Sequence, residues 1–286
     1  MLVIRQCIAA LLAVFVASSA YATCATDNLN DSQELSNKGT AEVSDIYPTA
    51  DQLPENLLRF YIYFSEPMSR ENILSSISLL DSQGEEIPEV FLDNRYDLWS
   101  PDGTRLTLLL DPGRVKTGLV AHNRLGRAFV AGESYQLRID APLDAHGCEL
   151  AASHTKNFIA LPEYTTAPDI DQWQINQPKA TTNEPLSISL GRIIDHLSLA
   201  YRIRVQNLEG NVIRGALELA ENEQVWRFTP SAPWQAQDYQ IAIDATLEDV
   251  AGNRLSGLFD QPPSDGELEV PPNKYFIFFS AISLVP

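Results

Sequence analysis

Residues 135–150 read YQLRIDAPLDAHGCEL, and residues 239–255 read YQIAIDATLEDVAGNRL. Tyr135 and Tyr239 stand 104 positions apart, Gly147 and Gly252 stand 105 apart, and so a single inserted residue separates the two anchors. The first copy opens with apolar–polar alternation over SYQLRID (134–140), the pattern of a strand with one face buried, and the second answers it with YQIAID. An Asp then precedes a Gly by three positions. An Asp side chain accepts backbone N–H bonds from residues just ahead of it, and a Gly takes the positive φ that a tight turn needs. The phrase therefore specifies folding rather than catalysis. Its recurrence constrains the chain to two similar units of about 100 residues each.

The flanking sequence repeats as well. In the first unit LLRFYIYF (57–64), SISLLD (76–81), TRLTLLLD (104–111), SYQLRID (134–140) and NFIAL (157–161) are strand-length apolar runs bounded by Gly, Pro, Asp or Asn. In the second, PLSISL (185–190), YRIRVQNLEGNVI (201–213) and QVWRFTP (224–230) answer them in order. No long stretch holds a helical period, and no helix is expected in either unit. Short strands with turns every 8–12 residues predict an all-β chain of two tandem immunoglobulin-like β-sandwich domains. The expected boundaries are domain 1 over 43–161, a linker over 162–168 and domain 2 over 169–261. A C-terminal extension over 262–286 contains the apolar run YFIFFSAISLV (275–285), too short for a membrane helix and read as an added strand that covers a sheet edge or pairs with the other unit.

The N-terminus reads as a cleaved export signal over residues 1–22. It has a short cationic start, the apolar run CIAALLAVFVA (7–17) and small residues at Ala20 and Ala22. The alternatives are a retained anchor and a lipid-modified Cys24, but Tyr21 and Thr23 sit where a lipidated cysteine is preceded by Leu and by Gly or Ala. A polar leader over 23–42 follows. Formal charge is −18 for the full chain, and loss of Arg5 with the signal makes it −19. That field repels phosphate backbones and anionic lipids, so neither nucleic acid nor membrane insertion of the mature chain is expected. Cys7 leaves with the signal. The remaining pair, Cys24 and Cys148, is expected to form one disulfide, as even cysteines do in exported chains. The expected location is periplasmic or secreted.

Two residue sets carry a family resemblance. FSEPMS (64–69) after an alternating strand, and DVAGNRL (249–255) after YQIAID, resemble the Ig-like domains of bacterial surface-layer and other exported proteins. With LWSPDGTRLTLLLDPGRVKTGL (98–119) and WRFTPSAPW (226–234), the chain resembles a group of uncharacterised exported bacterial proteins with paired Ig-like domains. The resemblance covers most of residues 43–260 and implies a fold but no activity. The second unit departs from it at one place: LGRIID (190–195) stands where FSEPM should recur.

Chemistry is sparse. There is no G-x-S-x-G elbow, and His122, His146, His154 and His196 lie on expected loops or strand edges without a motif joining them to a nucleophile. His146, Cys148 and His154 have metal-ligating side chains, but a bridged Cys148 removes one of them. DNRYD (93–97) and LEDVAGN (247–253) offer carboxylates without EF-hand spacing, which leaves weak calcium binding open. Trp99, Trp173, Trp226 and Trp234 are the aromatic candidates for a sugar face. No catalytic residue, metal site or cofactor is expected.

One segment stands apart from the acidic background. Between Asp111 and Glu133 there is no acidic residue, yet Arg114, Lys116, Arg124 and Arg127 all fall there. Gly84 to Tyr135 spans 51 positions where Gly210 to Tyr239 spans 29, so this basic loop is an insertion in the first unit. Long loops in compact domains often bind. The four cations are the expected binding residues for an envelope protein or polysaccharide. The alternative is a loop docked on the protein's own acidic surface. The functional expectation is a non-catalytic binding, adhesion or structural module of the envelope; the alternative is a secreted hydrolase with its site between the two domains.

Overall fold

The computed structural model describes residues 24, 39–93, 98–116, 120–260 and 272–281. The signal segment and most of the leader fall outside them, as do residues 94–97 of the DNRYD stretch and 117–119 of the basic loop.

Seven strands build the first unit: β1 (Val43–Tyr47), β2 (Gln52–Pro54), β3 (Arg59–Phe64), β4 (Ile77–Leu80), β5 (Arg105–Leu109), β6 (Ser134–Ile139) and β7 (His154–Leu161). They form two sheets, ordered β1-β3-β5 and β2-β7-β6-β4, antiparallel except for β2 on β7. Seven more build the second: β8 (Gln174–Asn176), β9 (Leu186–Ser189), β10 (Ile203–Asn207), β11 (Gly215–Ala220), β12 (Val225–Pro230), β13 (Asp238–Asp244) and β14 (Lys274–Ser280). Their sheets run β11-β12-β9-β8 and β10-β13-β14. The chain is all-β, two Ig-like sandwiches in tandem. Each has its own core, one around Phe60, Phe129 and Leu137, the other around Trp226, Ile188 and Ile241.

The repeated phrase does the same work in both. Asp144 Oδ1 accepts from His146 N at 2.8 Å and Cys148 N at 2.9 Å; Asp249 Oδ1 accepts from Ala251 N and Asn253 N, both at 3.0 Å. Gly147 and Gly252 have φ of +85° and +80°. Tyr135 Oη accepts from Val130 N and stacks on Phe158 of β7, while Tyr239 Oη accepts from Gln235 N and stacks on Phe279 of β14. β14 is therefore to the second sandwich what β7 is to the first: it pairs with β13 from Asp238–Ser280 to Asp244–Lys274.

The departure LGRIID keeps the place of FSEPM. Met68 bridges to Asp144 and Ile194 to Asp249, and Ser69 N and Asp195 N donate to Leu143 O and Glu248 O. The expectation of no helix is corrected by three short ones, α1 (Pro112–Val115), α2 (Val120–Leu125) and α3 (His196–Arg202). The first and last begin at Asp caps: Asp111 accepts from Gly113 N, and Asp195 accepts from Ser198 N. At four to seven residues they are too brief for a readable 3.6 period.

Candidate functional site

A buried polar cluster lies where the two sandwiches meet. β3 explains it. Phe60, Ile62 and Phe64 alternate into the first core, which leaves Arg59, Tyr61 and Tyr63 on the opposite face of the strand. That face is covered by the second unit. Tyr61 Oη donates to Asp195 Oδ2 at 2.8 Å, and Tyr63 Oη is hydrogen-bonded to His196 Nε2 at 2.8 Å. Arg59 pairs with Glu248 and lies 3.9 Å from Asp195 Oδ2. Glu223 accepts from Thr49 N at 2.9 Å and from Thr49 Oγ1 at 2.7 Å. Leu58 N donates to Val250 O at 2.9 Å, and Val250 and Ile193 join the first core.

His196 sits at the centre, 7 % exposed, stacked on Tyr47 at 4.1 Å with Tyr61 edge-on at 4.5 Å. Its Nδ1 is buried without a hydrogen-bond partner. Burial, aided by Arg105 and Arg59, pushes its pKa down to about 3. Burial raises the carboxyls of Glu223 and Asp249, the latter to about 6 against the pull of Asn253 and Arg192. The cavity beside His196, lined by Tyr47, Arg59, Asp195 and Glu223, measures about 10 Å³. That is room for one water at most.

The linker is fastened from both sides. Asn56 Nδ2 and Asn253 Nδ2 both donate to Tyr164 O, and Asn56 Oδ1 accepts from Tyr164 N. Arg192 spans Asp249 Oδ2 at 3.2 Å and Thr166 O at 2.7 Å, with its guanidinium 5.1 Å from the Tyr164 ring centroid.

The expected binding residues of the basic loop are largely turned inward. Arg114 is 4 % exposed and donates to Leu125 O at 3.0 Å, and burial lowers its pKa. Arg127 pairs with Glu163, lies 3.8 Å from Glu55 and donates to Val115 O. Lys116 Nζ sits 4.0 Å from the centroid of the Phe259 ring. Arg124 holds Glu89 at 2.8 Å with both side chains mostly exposed. All four cations thus engage the protein's own groups, and only Arg124 stands well out in solvent.

The remaining candidates are dispersed. Cys24 and Cys148 form the expected disulfide. His146 lies on the exposed turn and His154 opens β7; the His122 side chain is outside the described residues. No group of three His, Cys, Asp or Glu side chains able to hold a metal comes together among the described residues. Trp173, Trp226 and Trp234 are buried in the second core, and Trp99 packs on Phe64, so they do not form a common face.

No family model and no curated protein sequence matches the chain. Among solved structures it is similar to the S-layer protein rSbsC(31-844), at 14 % identity and TM-score 0.30 over 71 % of this chain and 23 % of that one. It is also similar to native alpha-2-macroglobulin from Escherichia coli spanning domains MG0-NIE-MG1, at 9 % identity and TM-score 0.27, covering 72 % and 66 %. The N-terminal four Ig domains of Dscam1 isoform 4.4 match at 13 % identity and TM-score 0.23, covering 71 % and 46 %. The chain spans about a quarter of the S-layer protein's length.

Proposed function

We propose that the chain is a non-catalytic, exported Ig-like module of the cell envelope that acts in binding, adhesion or structure. The observation that carries this reading is the contact between the sandwiches. Buried hydrogen bonds, ion pairs and a pinned linker hold the two units at one mutual angle, as a module that presents surfaces at a fixed spacing requires. Export is supported by the N-terminal sequence together with the Cys24–Cys148 bridge. The hydrolase alternative has one favouring observation, a histidine between the domains beside Asp195 and Tyr63. The single-water cavity weighs against it, because a substrate has no room beside His196.

Within this reading an acidic partner, protein or polysaccharide, docks on residues 112–132. Arg124 and Lys116 are its contacts; Arg114 and Arg127 hold the loop in place. The test is retention of envelope components by the immobilised mature chain, alongside screening with ester, glycoside and peptide substrates. Retention that is lost in an Arg124→Gln, Lys116→Gln variant of unchanged melting temperature supports the reading. Turnover of any substrate that disappears in His196→Ala replaces it with the hydrolase.

A further inference from the structure

We infer that His196 is an acid-sensitive bolt: proton uptake by its ring releases the second sandwich from the first. The inference is independent of the partner proposed above and rests on the geometry of the contact. From β1, Tyr47 stacks on the ring. From β3, Arg59, Tyr61 and Tyr63 face it, and Tyr63 takes up Nε2. Arg105 of β5 is close enough to act on it electrostatically. From its own unit come Asp195, which caps the helix and is occupied by Tyr61 and Ser198, and Glu223 from the turn before β12. Tyr201 stands at the far end of α3.

A neutral ring fits this enclosure, with Nε2 satisfied and Nδ1 in a space that admits at most one water. A protonated ring does not. It would add a third positive charge beside Arg59 and Arg105, and the nearby carboxylates already serve other donors. In the open form the same ring is solvated and titrates at its ordinary 6.5, whereas in the closed form it resists protonation down to about 3. Through that window the open-to-closed ratio set by this ring rises about tenfold for each unit of falling pH.

Two carboxyls oppose it. Burial in the closed form makes Glu223 and Asp249 hold protons more readily, so acid favours closure through them. The partners of Asp249, namely Arg192, Ala251 and Asn253, all belong to the second unit and travel with it, so opening relieves only part of its burial. Glu223 exchanges Thr49 for water. The His196 contribution runs against both, and the wild-type response is shallower than tenfold per unit.

The amide of Leu58 reports the opening directly, because its hydrogen bond to Val250 O crosses the contact. Native-state hydrogen exchange, corrected for intrinsic rates, gives its protection factor. Ser69 N, bonded to Leu143 O within the first unit, is the control. Between pH 6.5 and 4 the Leu58 protection falls by tenfold or more while Ser69 is unchanged. In His196→Gln only the opposing carboxyls remain and the protection no longer falls but rises with acid, so the wild-type-to-variant ratio changes about tenfold per pH unit. If near-ultraviolet dichroism shows that Gln at this site does not fold, Arg105→Gln serves instead: it leaves the ring and removes one neighbouring cation, and the total fall shrinks. A wild-type protection that is flat or rises with acid overturns the inference. So does a variant slope equal to that of the wild type.

Discussion

The two copies of the Asp-x-x-Gly turn are built alike and used differently. The Asp144 turn lies at the outer end of the first sandwich. It is covered by Gly39, whose N donates to Glu149 O at 2.6 Å, and is joined covalently to Cys24. The Asp249 turn is pressed into the first sandwich: Val250 enters that core, Gly252 lies against Leu58, and Asn253 holds the linker carbonyl of Tyr164. In both, the chain segment that precedes the unit crosses the turn. In the second unit that segment is the linker, and a neighbouring domain completes the cover. In the first, a disulfide to Cys24 fastens the segment. The difference shows that one local motif serves either as a cap under a covalently fastened segment or as a joint between sandwiches.

The largest expected effect tests the end cap. Replacing Cys24 and Cys148 by Ser opens a loop of sequence separation 124. In the chain-entropy model that bridge contributes about 4–5 kcal/mol. Calorimetry of the double variant should show the first sandwich melting lower by on the order of 10 °C. If the first sandwich melts at its wild-type temperature, the bridge is not the counterpart of the joint.

The next compares the two acids. Asp144→Ala leaves two backbone donors without an acceptor, a cost of about 2 kcal/mol at about 1 per hydrogen bond. Asp249→Ala leaves Ala251 N and Asn253 N without this acceptor and takes one of their partners from Asn253 Nδ2 and Arg192, which keep Tyr164 O and Thr166 O, so about 3–4 kcal/mol is expected. Urea unfolding of both variants measures the pair, and equal losses would erase the distinction between joint and cap. Asp249 also carries a pH signature. Its folded pKa of about 6 lies above the ordinary 3.8, so the folded form holds the proton more tightly. The associated stability is fully present below pH 3.8 and is lost as pH rises through 6. The loss is up to about 3 kcal/mol. Asp249→Asn should lack this slope, which is read from the difference between the two stability–pH curves.

The joint showed in the sequence chiefly as a break in the repeat. The strands, the duplicated turns and the disulfide follow from alternation, Asp and Gly placement and cysteine parity, because these rules act over a few residues. The closing strand β14 was legible as a strand but not in its pairing, since a 14-residue acidic and Pro-rich stretch precedes it. The contact was not legible as a contact. Its residues, Tyr61, Tyr63, Arg59 and His196, are scattered over two units, and no local pattern joins them. One signal was present. LGRIID departs from FSEPM at the place where Ile193 and Asp195 meet the other sandwich and Arg192 meets the linker, and His196 follows immediately. The outer positions of β3 gave a second, since Arg, Tyr and Tyr are residues suited to interfaces. The basic loop shows the opposite failure. Its charge pattern was real, but exposure is a tertiary property, and Arg114 is buried.

The last comparison is between the glycines. Both turns need positive φ, so Ala at either position incurs about 1–2 kcal/mol of backbone strain. At Gly147 a new Cβ meets nothing within 4 Å, and strain is the whole cost. At Gly252 the same carbon falls 2.8 Å from Leu58 Cδ2 and 3.2 Å from the Phe259 ring, so the first sandwich must yield as well. Overpacking adds roughly 1–3 kcal/mol. Gly252→Ala should therefore lose more stability than Gly147→Ala, and only Gly252→Ala should lower the exchange protection of Leu58. A Gly147→Ala variant that disturbs Leu58 equally would mean that the two turns are coupled through the first core, and the joint would then extend the full length of that sandwich.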